Sequence, residues 1–391
     1  MGELGILENG GLFAEDGRIV CVGPTREIES LVRPDTHTID ASNCVVLPGF
    51  VDAHTHLVFG GNRVEEYEQR ASGKSYEEIA ASGGGIRRTV GLTRGASEEE
   101  LLAQAKKHAG WFLAGGTTTV EAKSGYGLSL EDELKILRVA RKVGQDMALS
   151  VVPTFLGAHA FPPEFQDDHR GYVELVVEQM LPAVQAEGLA EFCDVFCERN
   201  YFSLDESRMI LKAAKARGLG LRIHADQLTC NGGAQLAAEL GARTADHLEQ
   251  TGSDGIAAMR AAGVQPVLLP GSVYALGHER YPKGREMIDA GLAVVLASDF
   301  NPGSSPTTSM AMVLSLACTH MKLSPAEALC AATVNAAYSL NRGDQIGSLE
   351  AGKAADFTVF ECGDYREIPY YFGVNLVRQV FSKGERLRVE V

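Results

Sequence analysis

From about residue 45 onward, short apolar runs alternate with longer stretches in which apolar residues recur every three or four positions. The short runs predict eight strands, over 45–52, 118–122, 149–155, 192–197, 219–224, 243–247, 264–269 and 293–299. Each is rich in Val, Ile, Leu, Phe or Thr and bounded by Gly, Pro or polar residues. Helices are predicted between them. Ser97 with Glu100, Ser203 with Glu206 and Ser324 with Glu327 each set a hydroxyl three residues before a Glu. Such a pair satisfies backbone donors that a helix start leaves open. Gly115-Gly116 and Gly218 close the first two of these helices, and Pro325 suits the first position of the third.

Eight buried-type strands alternating with helices predict a parallel sheet. Closed on itself, it is a TIM-type (β/α)8 barrel of about 250 residues. An open doubly wound sheet is the alternative, but no GxGxxG follows the first strand. The two ends break the rhythm. Residues 12–14, 18–22 and 38–40, and residues 346–347, 356–360, 377–381 and 386–389, read as short strands between turn signals. They predict a small β-sandwich domain built from both termini, 1–47 plus 344–391, around a barrel spanning 48–343. Residues 57–96 form a polar excursion with Gly83-Gly84-Gly85 and Arg87-Arg88. At that length it is either disordered or functional, and its glycines allow it to close over a site.

Composition adds mainly exclusions. Apolar residues make up 45% and charged residues 22%, as in ordinary globular chains. The 36 basic and 51 acidic residues give a net charge of −15, which argues against a nucleic-acid surface. No apolar stretch is long enough to span a bilayer, and residues 1–10 lack the pattern of a signal peptide. The eight cysteines form no CxxC pair. Reduced thiols and a cytoplasmic location are therefore expected.

The histidines carry the chemistry. His54 and His56 follow the first strand, His224 ends the fifth, His247 ends the sixth, and Asp299 ends the eighth. Barrel enzymes keep their active sites at that rim. Imidazoles and a carboxylate converging there predict a mononuclear transition-metal site with room for water. His37, His108, His169, His278 and His320 lack such partners and read as surface or packing residues.

The run from Pro48 to His56, PGFVDAHTH, resembles the first-strand signature of the amidohydrolase superfamily. Residues 347–356, GSLEAGKAAD, resemble the return into that superfamily's small β domain. The likeness extends over nearly the whole chain. Members with two metals take a carbamylated Lys after the fourth strand. Here Phe196-Cys197-Glu198 stands there and Lys123 follows the second strand, so one metal is implied and Lys123 is rejected as a bridging ligand. Zinc and iron both suit such donors.

Finer motifs are KSGYGL from Lys123, Gly157-Ala158-His159, His224-Ala-Asp-Gln227 and SDFNPGS from Ser298. Together they resemble the imidazolonepropionase family, hydrolases that open the imidazolone ring in histidine degradation. That resemblance implies metal ligation by His54, His56, His224 and Asp299. It implies proton transfer by Asp299 and orientation of water or carbonyl by His247. Arg63 would receive the substrate's carboxylate. Tyr126 and His159 would contact the ring or the carboxylate, Gln227 the ring's N–C–N edge, and Asn301, Gly303 and Ser304 the product. Some family members carry Glu where Gln227 stands, so acid–base work is expected elsewhere. Against the family's pattern the small domain also lacks its first strand. The expected partners are a small acidic substrate and a second copy of the chain in a homodimer. Rival expectations are another cyclic-amide hydrolase, a nucleobase deaminase, or a barrel kept as a non-catalytic scaffold.

Overall fold

The computed structural model describes residues 1–74, 78 and 84–388. β1 (Gly10–Glu15) and β2 (Arg18–Pro24) form an antiparallel hairpin. The first predicted strand then divides at Gly49. β3 (Val45–Pro48) pairs antiparallel with a strand from the other end of the chain, while β4 (Phe50–Asp52) opens the barrel. A Cβ at Gly49 would stand 2.2 Å from Thr118 Oγ1, so glycine lets the chain cross between the two sheets.

β4 is followed in strict order by β5 (Thr117–Lys123), β6 (Ser150–Ala158), β7 (Phe192–Cys197), β8 (Gly220–Ala225), β9 (Thr244–His247), β10 (Gln265–Leu268) and β11 (Val295–Leu296). Every neighbouring pair is parallel. Residues just past the strands close the circle. Asp299 N–H donates to His54 O at 3.0 Å and His56 N–H to Phe300 O at 2.8 Å. β11 is thus far shorter than predicted, because the chain leaves the ladder to make these closing bonds.

β12 (Phe357–Phe360), β13 (Val377–Ser382) and β14 (Glu385–Arg386) complete a four-stranded sheet with β3 at its edge. The hairpin joins this side through Ile19, whose N–H donates to Lys353 O at 2.8 Å. Both ends of the chain therefore build the small β domain. Residues 38–40 and 346–347 are not strands, and the run predicted to end at 389 reaches the edge of the described residues. Among the described residues the excursion includes the helices Val64–Ala71 and Ile86–Gly95, while Gly83 lies outside the described residues.

All three predicted serine–glutamate pairs cap their helices, Glu98–Ala114, Leu204–Ala216 and Pro325–Ala331. Helix packing buries one apolar shell outside the strands, including Phe155, Ile223, Leu268 and Leu314. A smaller apolar cluster, with Val51, Val152, Val267 and Val295, fills the barrel's interior. No helix among the described residues is long and apolar enough to cross a membrane.

Candidate active site

The strands end in a ring of buried imidazoles. His54, His56, His224 and His247 are each at most 2% exposed, and so is Asp299. The ligand atoms of His54, His56 and Asp299 all lie within 4.8 Å of one another. Those of His54, His224 and His247 form a second such group, so the geometry brings His247 in with the other imidazoles. Asp299 Oδ1 stands 3.6 Å from His54 Nε2 and 3.7 Å from His56 Nε2. Asp299 and His247 are turned inward by left-handed backbone, with φ of 54° and 78°. Such strain in non-glycine residues persists where the surroundings enforce it, often at functional sites.

Three of the four rings are held from behind. His54 Nδ1 lies 2.6 Å from Asp246 Oδ2, and His224 Nδ1 lies 2.9 Å from Asp194 Oδ2. His247 Nδ1 lies 3.3 Å from Glu249 Oε1. An Nδ1–H given to a carboxylate leaves Nε2 with its lone pair free. Nε2 of His54 and of His224 is buried with no protein hydrogen-bond partner. Burial holds the pKa of His54 well below the ordinary histidine range, and the nearby Lys123 ammonium adds to this. Burial likewise depresses His56, with His159 adding to the effect, and lowers His224 despite Asp194 beside it. Neutral imidazoles with orphaned nitrogens facing one carboxylate fit a divalent metal. Burial also raises Asp299 to about 7, against the pull of His247.

A charged layer that the strand-end reading did not single out lies beneath. Lys123 Nζ donates to Asp194 Oδ2 at 2.7 Å and to Glu121 Oε1 at 2.8 Å, and stands 3.6 Å from Asp246 Oδ2. Arg222 Nε is 3.1 Å from Glu121 Oε1. Asp194 and Asp246 thus each face a histidine on one side and the Lys123 ammonium on the other. Burial alone would raise Asp194, but His224 and Lys123 hold it well below the usual carboxylate range. Two strands carried the signal for this layer. Glu121 and Lys123 alternate in β5, and Arg222 and His224 alternate in β8, each pair sharing one face of an otherwise apolar strand.

The predicted anion contact forms a second pole. Arg63, 7% exposed, precedes the helix Val64–Ala71 and lies against Gly303. Asn301 ties this stretch to the first pole. Its Nδ2 donates to Asp299 O at 2.6 Å, and its Oδ1 accepts the N–H groups of Gly303 and Ser304 at 2.8 Å each. Ser304 Oγ reaches to 3.4 Å from Asp299 Oδ2.

Tyr126 and His159 wall the space beside His56. The Tyr126 ring is centred 5.3 Å from the His56 ring, and His159 stacks on His56 at 5.1 Å. His159 Nδ1 is 3.0 Å from Gly125 O, and burial lowers its pKa to about 3. Gln227 is half-buried, on a cavity of about 300 Å³ that it shares with Gln250, Ser272, His278 and Glu249, the carboxylate beside His247. Of the histidines read as packing residues, His108 is buried against Phe59, Trp111 and Phe300, with Nδ1 3.0 Å from Leu57 O.

Residues 45–387 match the amidohydrolase family. An imidazolonepropionase of Solibacter usitatus is 59% identical over 98% of this chain and 92% of its own. One from Geobacillus thermodenitrificans is 49% identical over 98% of this chain and 91% of its own. Among solved structures, guanine deaminase of E. coli superposes with a TM-score of 0.77 at 15% identity, covering 98% of this chain and 93% of that one. An adenosine deaminase from Xanthomonas campestris with bound zinc has a TM-score of 0.69 at 20% identity, over 97% and 88% of the two chains. These structural likenesses speak to the barrel fold, whereas the sequence matches speak to descent, and by them the chain belongs to the amidohydrolase family and, within it, to the imidazolonepropionases.

Proposed function

We infer that the protein hydrolyses 4-imidazolone-5-propanoate to N-formimidoyl-L-glutamate, the ring-opening step of histidine degradation. The observation that carries this reading is the joining of two poles. The His/Asp cluster and the Arg63 guanidinium are linked through residues 299–304, so one short stretch joins the candidate metal ligands to a cation that matches an acidic tail.

The proposed ligands of one zinc or iron ion are His54, His56, His224 and Asp299. When bound, the ion supplies a Lewis acid that makes water nucleophilic near neutral pH. The protein's own groups do the rest. Arg63 takes the propanoate, whose carboxylate matches a guanidinium fork. Tyr126 and His159 hold the ring beside His56. The neutral His159 keeps Nδ1–H on Gly125 O, which leaves Nε2 to accept a hydrogen bond from a ring N–H of the substrate. Gln227 faces the N–C–N edge, where an amide both donates and accepts.

Asp299 takes the proton of the attacking water and delivers it to the departing ring nitrogen. His247, held by Glu249, polarises the ring carbonyl. Attack on that carbon breaks its bond to nitrogen, and the carbon becomes the α-carboxylate of the product. Asn301, Gly303 and Ser304 then hold the product. The catalytic domain is 48–343, with 1–47 and 344–391 as its small companion. The proposed setting is the cytoplasm, which suits eight cysteines that form no disulfide among the described residues, and the proposed assembly is a homodimer, the commonest symmetric oligomer.

The test is to supply freshly made substrate and analyse what forms. N-formimidoyl-glutamate without ammonia supports the reading. Ammonia release points to a deaminase, and an inert but folded protein to a scaffold.

A further inference from the structure

Arg63 and Glu66 sit three residues apart at one helix start, a spacing that usually marks a surface ion pair. Here both are buried, Glu66 at 1% exposure. Glu66 Oε2 receives Arg63 Nε at 2.8 Å and lies 2.6 Å from Nη2. Its other oxygen, Oε1, accepts the N–H of Gly85 at 3.1 Å, just before the helix Ile86–Gly95. The carboxylate is therefore held at two points, and it holds the guanidinium along one edge. That edge points Nη1 the other way, toward Gly303. A Cβ on Gly303 would lie 2.0 Å from Nη1 and 2.9 Å from Cζ, closer than any real contact. Asn301 Oδ1 would lie 3.4 Å from the same Cβ, so the guanidinium end sits against the stretch that leads back to Asp299.

We propose that Glu66 is the positioning residue that fixes Arg63 as the carboxylate anchor, and that Gly303 sets specificity for acidic substrates by leaving room for that guanidinium. An unpaired Arg so deeply buried would be costly, and Glu66 removes that cost before substrate arrives. An anchor already oriented loses less rotamer freedom on binding. Arg keeps further N–H donors for a second carboxylate after one edge is used. Glu66 touches no substrate in this scheme. It acts through Arg63.

The proposal rests on the reading that the substrate is a ring with a carboxylate tail. Its test therefore includes a measurement that needs no turnover. Calorimetry on the metal-loaded full chain would compare 3-(imidazol-4-yl)propanoate with neutral 4-propylimidazole, for the unaltered protein, Glu66→Ala and Gly303→Ala. Metal content and circular dichroism establish that each variant is folded. Both variants are expected to weaken binding of the acid about tenfold or more, the scale of a charge-assisted hydrogen bond, while the neutral ligand binds as before. Where turnover is measured, Glu66→Ala raises KM with kcat within about twofold.

Unchanged acid binding in either folded variant overturns the proposal. So does tighter acid binding in Glu66→Ala, which would mean that Glu66 competes with the ligand for Arg63. Equal weakening of acid and neutral ligands also overturns it, since that marks general damage to the pocket. Should Glu66→Ala fail to fold, Gly303→Ala still decides, because it displaces the guanidinium while leaving Glu66 in place. Failure of the unaltered protein to open the imidazolone ring would sink the functional reading alone. The calorimetric comparison would still decide the anchor.

Discussion

The two poles of the site are built by opposite means. At the His/Asp pole, each group stands at a strand end, and buried carboxylates hold three of the imidazoles from behind. At the Arg63 pole, the anchor stands on an excursion from the barrel. It is held by an ion pair three residues away and by contact with a glycine. The first pole is as rigid as the barrel, because moving one ring means breaking a buried charge network. The second depends on a few contacts that can be changed without disturbing the core. Bond-making chemistry therefore resides on the strands and recognition on the loops, an arrangement that barrels favour. Changes at the first pole should act on kcat, metal content or stability, and changes at the second on KM.

The largest expected effect is at Asp299. Asp299→Asn removes both a ligand and the proton carrier, and kcat should fall about a thousandfold or more, the upper range for general acid–base work. Near-normal turnover with metal retained would remove Asp299 from its role. Next is Lys123→Met, which leaves Glu121, Asp194 and Asp246 facing one another around an apolar side chain. Stability should drop by about 3 kcal/mol or more, as when one partner of a buried ion pair is lost. Urea unfolding midpoints measure this, and an unchanged midpoint would mean the network is not a coupled unit.

Asp246→Asn should be milder. It keeps the shape behind His54 but weakens its hold, so metal affinity should fall about tenfold to a hundredfold, with a similar loss in Asp194→Asn. Competition with a metal-sensitive dye gives the ratio. Equal affinities in variant and parent would mean that these carboxylates do not support the ligands.

The smallest effect concerns acid. His159 has a pKa near 3 in the folded protein, depressed by burial, against about 6.5 for an ordinary histidine. Burial depresses His54 and His56 as well. The unfolded chain takes up these protons first as the pH falls. Stability contributed by the neutral rings is therefore present above about pH 6.5 and declines below it. Asp299 and Asp52, raised to about 7 by burial, act in the opposite sense, so the decisive comparison is between proteins: from pH 7.5 to pH 5 the urea midpoint of chelated parent should lose more, or gain less, than that of His159→Phe. Identical profiles would mean that His159 is not held neutral.

The first pole was legible from the residue pattern itself, whereas the second was legible only through the family resemblance, which pointed to Arg63, Asn301, Gly303 and Ser304 but not to Glu66. The histidines stand out because they fall at the ends of predicted strands, on the rim where barrel enzymes keep their active sites. The carboxylates behind the rings did not stand out in the same way. Asp194 is a lone polar residue in β7, and Asp246 sits next to the more conspicuous His247. The alternation of Glu121 with Lys123 and of Arg222 with His224 was the available clue to a polar inner layer. The division at Gly49 was invisible for a different reason. β3 and β4 are both apolar, so the hydrophobic run continues across the switch between sheets. Glycines near residue 84 suggested a loop where the helix Ile86–Gly95 forms. The pairing of Arg63 with Glu66 was not legible, because spacing carries no information on burial.

One measurement tests the joined action of the two poles most directly. Freshly generated 4-imidazolone-5-propanoate would be added to metal-loaded and to chelated protein side by side, with imidazolone absorbance followed against the slow spontaneous loss. The account predicts rapid loss with metal, almost none after chelation, recovery on reloading, and N-formimidoyl-glutamate as the product. Equal rates in the two samples, or no loss with metal bound, would contradict it.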